Sequence, residues 1–181
     1  TNRKRAEDML NLIIENNLVF TWRTNCRANY FDNFDEGFLR LVYKAGLREI
    51  QIGCESGSQR ILDYIKKDIT VKQIINAVTL CKKSGIQAQC SFMIGIPTET
   101  KKDNLMTFDL IDKLRKIDPN VLINMIAIYT PYPGAPLFET AKQFGFKPPR
   151  DLGQWGNFSY TFVNVPWIKG LKKIKYESIT Y

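Results

Sequence analysis

Two periodicities alternate along the chain, and this alternation restricts the fold more than any single motif. Short apolar runs at residues 48–53 (REIQIG), 87–95 (QAQCSFMIG) and 121–129 (VLINMIAIY) are separated by stretches with helical spacing. Ala6, Met9, Leu10 and Ile13 form one helical stripe, and Phe38, Leu41, Val42 and Ala45 a second. Val71, Ile74, Ile75 and Val78 form a third, and Leu110, Leu114 and Ile117 a fourth. LVFTW (18–22) reads as a further strand, and residues 137–144 as a short helix. Strands alternating with helices of this size are βαβ units, which place the strands in a parallel sheet. The nearly all-apolar run at 121–129 suits a strand buried on both faces. The fold class is α/β, either a doubly wound sheet or part of a barrel.

The boundaries carry their own chemistry. Asn33 with Glu36, Ser56 with Gln59, Thr70 with Gln73 and Thr100 with Asp103 are spaced as helix-capping pairs. Gly46 and Gly85 fall where helices should stop. Every strand then runs into polar or turn-forming residues. The first leads to Arg23, Asn25 and Arg27; the second to Glu55 and Ser56; the third to Gly95, Pro97 and Glu99; the fourth to Tyr129, Thr130, Tyr132 and Gly134. In a (β/α) barrel such positions share one mouth.

Composition removes several chemistries. The 181 residues, 44% hydrophobic and 24% charged, suffice for one globular core. Histidine is absent, which excludes Ser-His-Asp triads, Cys-His dyads and His-ligated zinc. Cys26, Cys54, Cys81 and Cys90 form no CxxC pair and sit in apolar patterns, as buried free thiols of a reducing compartment do. No apolar run reaches the length of about 18 residues that a membrane helix needs. The charged start, TNRKRAEDML, has no signal-peptide core, so the expected location is cytoplasmic. The net charge of +8 suits an anionic partner but also plain solvated basic faces.

GCESGSQRILDYIKKDIT, followed by SFMIGIPTET and YTPYPGAPLF, resembles the radical S-adenosylmethionine (radical SAM) enzymes. It resembles in particular the branch whose members often carry a cobalamin-binding domain. TWRTNCRANYF and KRAEDMLNLIIE fit the same resemblance, which covers residues 1–155. It implies a partial, TIM-like barrel: about four parallel strands forming the C-terminal portion of a (β/α)6 core. The Pro-, aromatic- and base-rich residues 156–181 would begin a C-terminal extension. The family's CxxxCxxC cluster motif is not in the sequence, so the chain is expected to be a fragment whose remaining barrel lies elsewhere in the parent. Cys54, Thr98 and Ala135 depart from the residues usual at those positions.

The resemblance also implies cofactors and roles. S-adenosylmethionine is the cofactor, with a [4Fe–4S] cluster in the parent and cobalamin allowed as a third group. The family cleaves S-adenosylmethionine to a 5′-deoxyadenosyl radical for C–H activation or methyl transfer. Glu55 and Ser56 would lie near the ribose or methionyl ammonium, and Lys67 near the methionyl carboxylate. Ser91 and the Gly95-Ile96-Pro97 turn would meet ribose and adenine, with Arg27, Tyr129 and Tyr132 on the substrate side. No residue here is expected to be catalytic or to bind metal. Each position has a plainer rival: Glu55 and Ser56 as a helix start, Lys67 as a solvated lysine, Gly-Ile-Pro as turn geometry, Arg27 as a surface ion pair with Asp32 or Asp35. Two other functions compete. One is a basic, non-catalytic α/β module for nucleotide or RNA, weakened by the lack of a phosphate-binding glycine loop. The other is an aldolase-like barrel, which needs a lysine within a strand that the sequence does not supply.

Overall fold

The computed structural model describes residues 2–156 and 165–167. Helix α1 (Arg3–Glu15) leads to strand β1 (Trp22–Cys26), a 3-10 turn (Ala28–Asn33) and α2 (Glu36–Lys44). Then follow β2 (Leu47–Glu55), α3 (Gln59–Tyr64), α4 (Val71–Lys83), β3 (Gln87–Ile94), α5 (Lys101–Ile117), β4 (Leu122–Ile128), α6 (Phe138–Gln143) and α7 (Leu152–Trp155). All three strand pairings are parallel and the spatial order is β1-β2-β3-β4. The expected four-stranded portion of a (β/α) barrel is therefore present.

One face of the sheet is the core. Ile50, Ile52 and Cys54 of β2, Ala88, Cys90 and Phe92 of β3, and Ile126 and Ile128 of β4 are buried there. They pack with Leu39 and Val42 of α2, Ile74, Ala77 and Val78 of α4, and Leu110, Ile111 and Leu114 of α5. The opposite face is polar. Reading across the register, Asn25, Gln51 and Gln89 share one level, and Gly53 and Ser91 share another.

This polar face explains two corrections. The first strand is not 18–22 but Trp22–Cys26, because pairing starts where β2 begins, with the Trp22 amide donating to the Gly46 carbonyl at 3.1 Å. Leu18, Val19 and Phe20, the apolar part of LVFTW, are exposed. Likewise, β4 is not buried on both faces, since Leu122 and Met125 are exposed.

The helix caps divide evenly. Thr70–Gln73 and Thr100–Asp103 form reciprocal capping boxes as expected. For α2 the cap is Asp35, not Asn33, because residues 28–33 are already wound as a 3-10 turn. Ser56 does not cap α3, which begins after Ser58. Gln59 instead accepts from the Val71 amide at 3.1 Å and so serves the next helix. Residues 156–181, the expected start of an extension, lie largely outside the described residues.

Candidate functional site

Glu55 ends β2 under strain. A bulge between Gly53 and Glu55 breaks the register with β3, and Glu55 takes a left-handed φ of 61°. A non-glycine residue pays about 1–2 kcal/mol for that conformation. The chain then bends through α3, a helix of only six residues. Lys66 and Asp68, with φ of 53° each, fold the backbone sharply on either side of Lys67. The Lys67 ammonium thereby reaches the Glu55 carboxylate at 2.6 Å, both side chains being mostly buried. A longer helix running straight on to Lys67 would have held the two apart; the short helix and double kink bring them together.

Gly53 completes this arrangement. A Cβ built there would lie 3.0 Å from Glu55 Oε1 and 3.0 Å from Lys67 Nζ. The ion pair thus lies over the bare backbone of β2 on its polar face. Beside it is a cavity of about 310 Å³, lined by Asn25, Cys26, Arg27, Tyr30, Gln51, Gly53, Lys67 and Ser91. Arg27 donates to the Lys67 carbonyl and approaches Asp68 at 4.0 Å, not Asp32 or Asp35. Its Nε is buried and has no partner among the described residues. Arg27, Glu55, Lys67 and Ser91 therefore come together as a group.

Ser56 goes elsewhere. It is fully buried, its hydroxyl 3.2 Å from that of Thr107 on α5 and accepting from the Ser58 amide at 3.1 Å. Gly57 abuts the same helix: a Cβ there would lie 2.2 Å from the Met106 carbonyl oxygen. Ser58 Oγ donates to Asp103 Oδ1 at 2.6 Å, and Arg60 Nη2 donates to Asp103 Oδ2 at 2.6 Å. The Arg60 guanidinium, aided by Ser58 and Thr100, holds the Asp103 carboxyl well below the usual carboxylate range. ESGSQR and the GIPTET helix start are two halves of one joint.

Gly95, Ile96 and Tyr129 belong to a second grouping. Gly95 has a φ of 77°. Its amide donates to Glu99, as does that of Ile96 at 3.3 Å. Burial pushes the Glu99 carboxyl up to about 7 despite those two donors. The Gly95 carbonyl accepts from Trp167 Nε1 at 2.8 Å. Ile96 and Tyr129 are buried with Ile61, Ala141, Phe146 and Val165, and Pro97 is buried in the same turn. The Tyr129 hydroxyl is buried with no partner among the described residues. Tyr132 is 48% exposed and packs on Trp155 with ring centres 5.9 Å apart, at the margin of the second grouping and not at the cavity.

Sequence reasoning missed Gly53 and Gln51, and placed Asn25 and Glu99 only among the strand-end residues of a shared mouth, without a role. The tight packing of Gly53 against an ion pair has no sequence signal, whereas Gln51 could have been found as a polar residue at an inward strand position.

The family model described as the Radical SAM superfamily matches residues 1–111. The chain belongs to that superfamily. It is 36% identical over 140 residues to an uncharacterized methyltransferase of Pyrococcus horikoshii, covering 77% of this chain and 29% of that protein. It is 31% identical over 138 residues to an anaerobic magnesium-protoporphyrin IX monomethyl ester cyclase of Rubrivivax gelatinosus, covering 76% and 24%. The chain thus spans about a quarter of the length of these curated relatives. Among solved structures it is similar to the radical S-adenosylmethionine methyltransferase TsrM of Kitasatospora setae, whose structure holds cobalamin and a [4Fe–4S] cluster. The TM-score is 0.60 at 20% identity, covering 77% of this chain and 28% of that one.

Membership implies S-adenosylmethionine and a [4Fe–4S] cluster as the family's cofactors. The described residues do not fit the cluster. Cys54, Cys81 and Cys90 are buried in the apolar core, and burial pushes the Cys54 and Cys81 thiols well up and that of Cys26 to about 11. No group of three or more cysteine or carboxylate ligands is placed to hold a metal among the described residues. They do fit part of S-adenosylmethionine: a paired cation and carboxylate over a glycine cradle, beside a cavity. No helix among them is long and apolar enough to cross a membrane.

Proposed function

We propose that this chain supplies the S-adenosylmethionine-holding wall of a radical SAM enzyme that activates substrate C–H bonds or transfers methyl groups. Residues 1–155 are read as the C-terminal portion of its (β/α)6 core and residues 156–181 as the start of an extension. The observation that carries this reading is the Glu55–Lys67 ion pair lying over Gly53 at the cavity edge. A methionyl group is a zwitterion, and this pair presents one complementary charge to each of its ends. Lys67 receives the carboxylate and Glu55 accepts from the ammonium or a ribose hydroxyl. Ser91, level with Gly53 on β3, adds a neutral hydroxyl. The Gly95-Ile96-Pro97 turn, held by Glu99, forms an apolar shelf beside Tyr129, whose free hydroxyl can donate to a ligand. When bound and reduced by the parent's cluster, S-adenosylmethionine supplies the radical chemistry. What these residues contribute is orientation and exclusion of water. Arg27, with its unpartnered Nε, stands at the substrate side of the same cavity.

Titration with S-adenosylhomocysteine, a stable analogue, tests the reading. Glu55→Gln should weaken binding by about 1.5–3 kcal/mol, the range for a hydrogen bond to a charged group. If affinity is unchanged while stability falls, Glu55 is only a strand-end residue and the reading fails.

A further inference from the structure

Asn25 and Gln51 pair across β1 and β2 at one level of the polar face, and both line the cavity. Asparagine is disfavoured in strands, so the place of Asn25 within β1 is not explained by propensity. Gln89, next in the same row, is engaged: its amide donates to Glu49 Oε2 at 2.6 Å. The side-chain amides of Asn25 and Gln51 bond to nothing among the described residues. They carry two donors and one acceptor oxygen each, and no charge.

Their place along the strands fixes what they can meet. The Glu55–Lys67 pair lies over Gly53, one inward-facing position beyond Gln51 along β2. Two residues of strand span about 6.6 Å. The cavity therefore has a charged end and, one step back along the strands, a neutral row rich in donors and acceptors, in which Asn25 is exposed and Gln51 half-buried. A charged group would be better served at the charged end; an aliphatic group would strand both amides without partners.

We infer that Asn25 and Gln51 are a specificity-determining row in the wall of the substrate site. The row reads an uncharged planar group with a hydrogen-bond donor and acceptor side by side, as a lactam, a carboxamide or a nucleobase edge presents. That this is the substrate end of the cavity rests on the cofactor reading above; the binding itself does not.

The test uses the 181-residue chain and 2-pyridone as the lactam probe, followed by nitrogen-15 NMR of the side-chain amides. 2-Pyridone should shift the Asn25 and Gln51 NH2 resonances. N-methyl-2-pyridone, which lacks the donor, should bind at least about tenfold more weakly. Gln51→Leu and Asn25→Ala should each abolish this preference while the backbone spectrum stays dispersed. Equal binding of the two probes, shifts confined to other residues, no binding at all, or a preference retained in both folded variants would each overturn the proposal. S-adenosylhomocysteine titrated into the same samples keeps the two readings apart. Its failure to bind would sink the cofactor reading while leaving the pyridone result as measured.

Discussion

At the scale of single residues, Gly53 is the most informative position. Its missing side chain is the space that the Glu55–Lys67 pair occupies. Gly53→Ala puts a Cβ against the far ends of two flexible side chains, which can move. The expected outcome is a stability change under about 1 kcal/mol by urea denaturation, but a clear loss of S-adenosylhomocysteine affinity as the pair is displaced. Glu99 offers a second prediction. Its folded pKa, about 7, lies above the usual carboxylate value. A raised pKa means that the folded state holds its proton longer than the unfolded one. The associated stability is therefore fully present below pH 4.5 and is lost as pH rises through 7. Glu99→Gln, which cannot ionise, should remove that slope. Its stability relative to the parent should rise by about 1–2 kcal/mol between pH 4.5 and 8, as measured by urea titrations at several pH values.

At the scale of elements, the joint between the β2–α3 turn and the start of α5 governs the site. Asp103 caps its own helix through Thr100 while binding Ser58 and Arg60. Asp103→Asn should cost about 1–3 kcal/mol, chiefly because the buried Ser58 hydroxyl and the Thr100 cap lose a charged acceptor, the exposed Arg60 guanidinium adding little. Since the Asp103 pKa is depressed, its contribution is fully present above the unfolded value of about 3.9, declines below it and is lost as pH falls through the lower folded value. The gap between parent and variant should therefore close in acid. The elements were largely legible because their core faces obey helix and strand periodicity, and two capping boxes stood at their expected places. What misled was the assumption that strands are apolar throughout. β1 (WRTNC) alternates polar with less polar residues because one sheet face lines a polar cavity. Of the candidate residues, Glu55, Lys67, Ser91 and Arg27 are brought together in space. Ser56 and Tyr132 stand apart because spacing along the chain does not reveal which serine meets α5 or which tyrosine stacks on Trp155.

At the scale of the whole molecule, β2 and β3 have a neighbour on each side, whereas β1 and β4 each have one. Hydrogen exchange should follow that order, with Ile50–Ile52 and Ala88–Cys90 slowest and Thr24–Cys26 faster; uniform protection across all four strands would contradict it. The joint described above has a further meaning for anyone recombining barrels of this superfamily. A crossover at the Gly85 turn would take Ser56, Gly57, Ser58 and Arg60 from one parent and Asp103, Met106 and Thr107 from another. Any mismatch would leave buried hydroxyls unanswered or press a new side chain into a helix backbone 2.2 Å away. Cut points at Gly46 and Asp118 carry both halves in one cassette. The heritable unit of this wall is therefore the whole stretch from β2 through α5, not the single βα repeat from which the barrel is counted.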